Sequence, residues 1–279
     1  WAAQGNAGWS WSDVLPAFKA IEDNQAGADD WRGVGGPVHV TRCDDAVHPL
    51  AHRYLEAAQQ AGLPFNPDFN GAAQEGVGIY QISTKNGRRM STARAFLRPA
   101  MRRPNVRVET KALATRILFE GKRAMGVEYE QHGLRHIARA GREIILSGGS
   151  VNDPQLLQLS GVGPADHLRQ LGIEIVHANE NVGRNLQDHV GINYTFKGRQ
   201  ATLNQLLRPW WGKALVGLQY LLLRSGPLSL SMNNAGGFFR TDPTLARPNM
   251  QLYFQAFSTV IPKAGERPIL TPDPWPGFS

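Results

Sequence analysis

The sequence predicts a mixed fold, α/β plus α+β, and three observations carry that expectation. Residues 106–140 alternate apolar and polar side chains in short runs separated by turn residues, the pattern of an antiparallel meander. The next run, Glu143-Ile144-Ile145-Leu146-Ser147-Gly148-Gly149, is apolar without alternation and ends in glycines, as a parallel-sheet strand buried on both faces does. A helix set up by Asp153-Pro154 and a returning strand, Ile173 to Val176, then complete a strand, glycine turn, helix, strand unit. Together these segments read as half of a Rossmann-like, nucleotide-binding α/β domain with a small antiparallel insertion.

The other elements follow in order. Ser12 is the expected N-cap of a first helix, with Val14, Leu15, Phe18 and Ile21 on its apolar face. A Gly-rich turn, Gly33 to Pro37, leads into a short strand, Val38 to Thr41. A second helix, Pro49 to Ala61, carries Leu50, Tyr54, Leu55 and Ala58 on one side and stops at Gly62. Pro64 to Gly78 is turn-rich, with little regular structure expected. Ser91 to Met101 is helical, and Pro104-Asn105 breaks it. Strands are then expected at Val106–Thr110, at Thr115–Phe119 and Ala124–Glu130 as a hairpin, and at Arg135–Ala140. After the glycine turn, Asp153 is the expected cap of a helix bearing Leu156, Leu157 and Leu159, stopped by Gly161. A short helix from Pro164 ends at Gly172.

Composition narrows the function classes. The chain has 279 residues, of which 42% are hydrophobic, an ordinary soluble globular composition. Cys43 is the single cysteine, so intramolecular disulfides, Cys-rich zinc sites and iron–sulfur clusters are excluded within the chain. The net charge of +7 is spread along the chain, and its densest cluster, Arg98, Arg102, Arg103 and Arg107, has few aromatics interleaved. No nucleic-acid partner is expected, because recognition of that kind uses a basic stripe or a known module. The longest apolar stretch, Ala214 to Leu223, is interrupted by Gly217 and Gln219 and falls short of the roughly 20 residues of a spanning helix. With no signal-peptide pattern, a cytoplasmic location is expected. The chain opens on Trp1 and stops at the turn-like Pro276-Gly277-Phe278-Ser279, so both ends are expected to be cut.

The Ser147-Gly148-Gly149 corner is the most informative chemical feature. Small residues let a ligand approach the backbone, and the free N–H groups of a helix N-terminus favour an anion, although the same turn also serves plain packing. There is no Gly-x-Gly-x-x-Gly; Gly76-Val77-Gly78 and Gly161-Val162-Gly163 lack the third glycine. His48 and His52 enclose Pro-Leu-Ala with no Glu to act as base, so a metal site is not expected there. No serine sits in a Gly-x-Ser-x-Gly elbow. Asp188-His189, adjacent on an extended segment, point to opposite faces and read as loop-pinning residues.

A series of blocks in one order resembles the glucose–methanol–choline (GMC) family of FAD-dependent oxidoreductases. They are Gly5-Asn6-Ala7-Gly8-Trp9-Ser10-Trp11-Ser12-Asp13-Val14-Leu15-Pro16, Gly87-Arg88-Arg89-Met90-Ser91-Thr92-Ala93-Arg94-Ala95-Phe96-Leu97 and the run Ser147 to Pro164. Asn181-Val182-Gly183-Arg184-Asn185-Leu186-Gln187-Asp188-His189 and Ala235-Gly236-Gly237-Phe238 complete the series. Asp153 departs from the family, which usually has Ser or Thr before the Pro; a carboxylate near a flavin alters its electrostatics.

The resemblance implies FAD-dependent oxidation of a primary alcohol: a histidine takes the hydroxyl proton while hydride passes to the flavin. It implies a division into 1–86, a linker and the first part of the substrate region; 87–190, the second half of the FAD domain; and 191–279, part of a substrate domain built on an antiparallel sheet. It places the dinucleotide-binding glycines before residue 1 and the catalytic histidine beyond residue 279, so no catalytic residue is assigned here. The backbone of Ala114 matches a position that meets the adenine end of FAD, and Ser147 and Gly148 match the turn near its ADP portion. Asn234 resembles a position that is Glu in many choline-oxidising members. A neutral side chain there implies a neutral primary alcohol, with an apolar tail passing Trp210, Trp211 and Leu215. The electron acceptor, quinone or oxygen, is left open, and a hydroxynitrile lyase on the same scaffold or a non-catalytic chain are the alternative functions.

Overall fold

A computed structural model describes residues 1–260, 269–272 and 274–279. The chain forms two compact units, one of residues 1–103 with 192–279 and the other of residues 104–191.

The first unit is organised by a three-stranded antiparallel sheet in the order Met250–Phe254, Ala235–Phe239, Gly76–Ile79. Its glycines are required by close approach. A Cβ on Gly78 would strike the Asn66 carbonyl, and one on Gly236 would strike the Tyr80 hydroxyl and the Leu252 carbonyl. Glycine removes that obstacle at an entropic penalty for the strand. The same chemistry hid the Gly76–Ile79 strand from a sequence reading that expects loop through Gly78. Gly-Val-Gly has no polar alternation because all four of its residues are buried.

The Pro49–Gln60 helix lies on this sheet through Ala51, Leu55 and Ala58, and Tyr54 stacks on Phe254 at 4.9 Å between ring centres. Gly62, at φ 96°, ends the run after Ala61 as expected. The Trp11–Ile21 helix is capped by Ser10 rather than Ser12. Asp13 then falls three residues on and returns a bond to the Ser10 N–H, a reciprocal box that Ser12 could not form. Its apolar face is not core, since the helix has no buried residue. The expected strand after the Gly33–Pro37 turn is Val38–Val40, paired in parallel with Glu22–Asn24. Between them Arg32 is buried and bridges Glu22 at 2.9 Å and Asp68 at 3.3 Å. The expected 91–101 helix is a π turn, Ala93–Leu97, running into one α turn, Arg98–Ala100.

A buried polar network fixes the Leu203–Leu207 helix. Asn204 Nδ2 donates to Ser258 Oγ at 2.9 Å and Thr271 Oγ1 at 3.0 Å, and its Oδ1 accepts the Ser258 N–H at 3.0 Å. Asn204 and Ser258 are wholly buried, so each bond replaces water that cannot enter. The Trp210–Leu223 helix that follows is different: only Gly212 and Val216 are buried. No helix among the described residues is long and apolar enough to cross a membrane.

The second unit carries the expected meander, Ala112–Glu120, Arg123–Gln131 and Leu134–Arg139. Its first turn is two residues, Gly121-Lys122, with Gly121 at φ 57°. The Gly149–Leu159 helix packs against the first strand, and Ser160 Oγ ties the two by accepting the Ile117 N–H at 2.8 Å. Several expectations fail here. Neither 106–110 nor 143–147 is a strand, because no strand among the described residues lies beside them to supply a hydrogen-bond ladder. Ile145 is 77% exposed instead of buried on both faces. The returning strand is His177–Ala178 rather than 173–176, placed by its parallel pairing with Val162–Gly163. Among the described residues of this unit that short pair is the one parallel pairing, where a Rossmann-like parallel sheet was expected.

Replacing Asn204 by Ala leaves the Ser258 N–H in the interior without its acceptor and removes the donor to the Ser258 and Thr271 hydroxyls, which keep only each other at 2.7 Å. We expect a loss of roughly 2–3 kcal/mol in denaturant unfolding of the protein; a loss below about 0.5 kcal/mol would contradict the buried network.

Candidate functional site

Each unit has a cavity with polar groups in its wall. That of the first unit encloses about 370 Å³ and is walled by Leu203, Leu207, Leu230 and Phe257, with His48, Ser231 and Asn234 as polar groups. Leu228 and Met232, each more than half exposed, form its solvent side. The sheet explains why these residues meet. Asn234 immediately precedes the Ala235–Phe239 strand, and Phe257 follows its antiparallel partner Met250–Phe254, so both lie at the same end of the sheet. His48 caps the helix packed on that sheet, and the Asn204 network holds the helix that contributes Leu203 and Leu207.

Asn234 is 8% exposed. Its backbone carbonyl accepts the Tyr80 N–H at 2.9 Å, and its Nδ2 donates to the Ser231 carbonyl at 2.6 Å. Its Oδ1 has no hydrogen-bond partner among the described residues. That orientation leaves an acceptor for the cavity. The His48 ring Nδ1 accepts the Leu50 N–H at 3.2 Å, which fixes the tautomer with its proton on Nε2. Burial lowers the His48 pKa from its ordinary 6.5, favouring the neutral ring. None of the lining side chains among the described residues carries a charge at neutral pH.

A sequence reading singled out Asn234 and passed over His48, which it considered only as a metal ligand with His52. The structure separates that pair's roles: His52 Nε2 meets the Asp44 carbonyl at 3.1 Å, and His48 caps its helix. Among the described residues no group of His, Cys, Asp and Glu side chains could hold a metal. The available signal for His48 was His-Pro at the start of a strong helical run, where the residue before an N1 proline is the cap. The expected apolar track beside Asn234 does not form. Trp210, Trp211 and Leu215 are 79%, 53% and 56% exposed and none lines the cavity.

The other sequence-derived positions lie in the second unit. Ala114 is exposed on the first meander strand, beside a bulge in which Thr115 is the extra residue. Ser147 and Gly148 are also exposed. Asp153 is not the cap of its helix, which begins four residues earlier. Its Oδ1 instead accepts the Gly148 N–H at 2.7 Å. A side chain at Gly148 would meet that same oxygen at 2.8 Å. This unit's cavity, about 440 Å³, lies beside Ile144 and Leu146 rather than at the corner, between that segment and Ile117, Phe119, Leu157 and Val176. Asp188 and His189 are both exposed, and the Asp188 carboxylate accepts the adjacent His189 N–H at 2.8 Å.

Residues 1–191 match the family described as GMC oxidoreductase. The chain belongs to the GMC oxidoreductase family. Among curated relatives, mouse "Choline dehydrogenase, mitochondrial" is 44% identical over 255 residues, covering 91% of this chain and 42% of that protein. Pyridoxine 4-oxidase from Mesorbium loti is similar in structure, with a TM-score of 0.76 and 28% identity over 91% of this chain and 46% of its own. An FAD-dependent oxidoreductase from Chaetomium thermophilum gives a TM-score of 0.74 and 27% identity over 85% and 44% of the two chains. The chain spans less than half the length of the curated GMC relatives it matches.

Because its Nδ1 is an acceptor and its ring half-buried, His48 is less than half protonated at pH 6.5, where an ordinary histidine is half protonated. A depressed pKa means that stability from this cap is complete above 6.5 and is lost as the pH falls through the lower, folded value. Imidazole ¹⁵N spectra should show an unprotonated Nδ1 and a titration below 6.5; a midpoint at or above 6.5 would contradict the assigned cap.

Proposed function

We propose that the full-length protein oxidises a neutral primary alcohol to the aldehyde with FAD. The observation that carries this reading is the uncharged, apolar cavity with Asn234 in its wall, in a chain of a family whose curated relatives include choline dehydrogenases. A cavity of about 370 Å³ falls in the range of small-ligand sites, which span roughly 300–1,000 Å³. A quaternary ammonium would be stripped of water there without a carboxylate to meet it, whereas an alcohol carries no such penalty.

Bound FAD supplies a two-electron acceptor for the hydride that leaves the carbinol carbon. The chain's own residues contribute binding. Residues 87–190 form part of the flavin side, and 1–86 with 191–279 the substrate side. Support for Ala114 as an adenine contact is its exposure next to the Thr115 bulge, where the ladder is interrupted and backbone groups are released. Ser147 offers an exposed hydroxyl with no partner among the described residues. Gly148 lacks a free amide, since Asp153 already holds it. These residues therefore suit a neutral adenine–ribose end and leave the pyrophosphate to other groups. A quinone or oxygen takes the electrons afterwards. No nucleic acid is a partner in this reading, and the location is cytoplasmic.

Anaerobic addition of benzyl alcohol to the full-length flavoprotein should bleach its oxidised-flavin absorption faster than choline does. Asn234→Glu should shift the ratio of kcat/KM values toward choline by about tenfold or more, the discrimination that one desolvated charge pair can supply. Faster reduction by choline than by any neutral alcohol in the unmodified protein would overturn the assignment.

A further inference from the structure

We propose that the Trp210–Leu223 helix docks the protein on an anionic lipid surface, lying in the interface with its apolar face toward the acyl chains. The helix is amphipathic in the reverse of the usual sense. At 3.6 residues per turn, Trp210, Trp211, Leu215, Leu218, Leu221 and Leu222 fall within an arc of about 140°. Each of the six is more than half exposed. The opposite side is the one the protein holds: Gly212 and Val216 are buried there, and a Cβ on Gly212 would strike the Leu206 carbonyl. A surface helix ordinarily turns such a stripe to the core. Here Gly212 and Val216 take the core side, so the stripe is fixed outward, and a contiguous apolar surface of this kind marks a docking site.

The charge around the helix identifies the occupant. Residues 189–241 contain no Asp or Glu. Lys213 is exposed on the helix and Arg224 ends it. Gly87 lies against the Arg224 carbonyl so closely that a Cβ would collide with it, which brings the exposed Arg88 and Arg89 of the neighbouring hairpin to the same end. Lys213, Arg88 and Arg89 have no carboxylate partner among the described residues. A second copy docking through this helix would offer these cations no carboxylate from its own 189–241 stretch, whereas lipid phosphates meet them directly. Trp210 and Trp211 add ring bodies with an N–H each, the chemistry of a membrane–water boundary. With 14 residues the helix is about 21 Å long, short of the roughly 20 residues that span a bilayer, so it lies on the surface and does not cross it. Leu228, in the 3-10 turn Pro227–Ser229 that packs against this helix, also forms the cavity's solvent side, so the docking face and the cavity's mouth share a border.

The test uses the full-length protein in sedimentation with vesicles of phosphatidylglycerol and phosphatidylcholine in equal parts, and with vesicles of phosphatidylcholine alone. Binding to the mixed vesicles should be at least about tenfold tighter, and Arg88→Ser/Arg89→Ser should weaken it about fivefold or more. Leu218→Glu/Leu222→Glu, at two exposed positions, should weaken it at least about tenfold and leave thermal unfolding within the spread of a surface change. Lipids brominated along their tails should quench the tryptophan emission of the bound protein, and Trp210→Phe/Trp211→Phe should remove most of that quenching. Absence of binding to the mixed vesicles, equal binding to the two vesicle types, or undiminished binding of Leu218→Glu/Leu222→Glu would overturn the proposal. A dimer in vesicle-free solution that Leu218→Glu/Leu222→Glu converts to monomers would assign the face to a second copy and overturn it as well. Because vesicle binding is read without substrate, its failure leaves the oxidation reading untouched.

Discussion

The close approach of backbone to sheet in the first unit is the constraint from which its site follows. At Gly78 and Gly236 the neighbouring Asn66 carbonyl and Tyr80 ring occupy the volume a Cβ would need. The sheet can be covered this tightly only because those positions are glycine. Its opposite layer, the Pro49–Gln60 helix, is equally economical, meeting the sheet through Ala51 and Ala58 with Leu55 between them. A thin, closely packed layer of this kind transmits position well, because dense interiors do not deform continuously. The helix start at His48 and the strand start at Asn234 are thereby brought to one end of the layer, and the cavity is the space left between them and the Leu203–Leu207 helix.

The wall chemistry follows from where backbone bonds are already made. Asn234 and His48 are both terminal residues of regular elements, and each uses part of its side chain to finish that element. Asn234 closes onto Ser231 and His48 onto Leu50. What remains to His48 is one donor, Nε2–H, and to Asn234 its Oδ1 acceptor and a second Nδ2 hydrogen. Sites assembled from caps are preorganised for this reason, since the structural bond fixes the side chain before a ligand arrives.

Much of this architecture was legible in the sequence where local pattern and final environment agree. The meander, with Gly121 and Gly133 at its turns, alternates because each strand has two unlike faces. The Pro49–Gln60 helix carries its Pro start and Gly62 stop in the letters. Local pattern failed where the decisive partner is distant. Gly76–Ile79 resembles loop until Ala235–Phe239 lies beside it, and Ile144-Ile145-Leu146 resembles a buried strand although no strand among the described residues flanks it. Ser12 and Asp153 were assigned as caps by type, but caps are decided by reciprocity: Asp13 selects Ser10, and Asp153 reaches back to Gly148 from inside its helix. Family resemblance supplied Asn234, which pattern alone would have left as one more polar residue before a strand. Neither pattern nor resemblance supplied His48, because its role depends on which ring nitrogen the helix start consumes.

The most direct measurement is a crystal structure of the full-length protein with a neutral alcohol bound. The account predicts the ligand's ring or alkyl portion against Leu203, Leu207 and Phe257, within the wall that Asn234 completes. A cavity filled by the protein's own side chains, or an alcohol seated away from these residues, would contradict it.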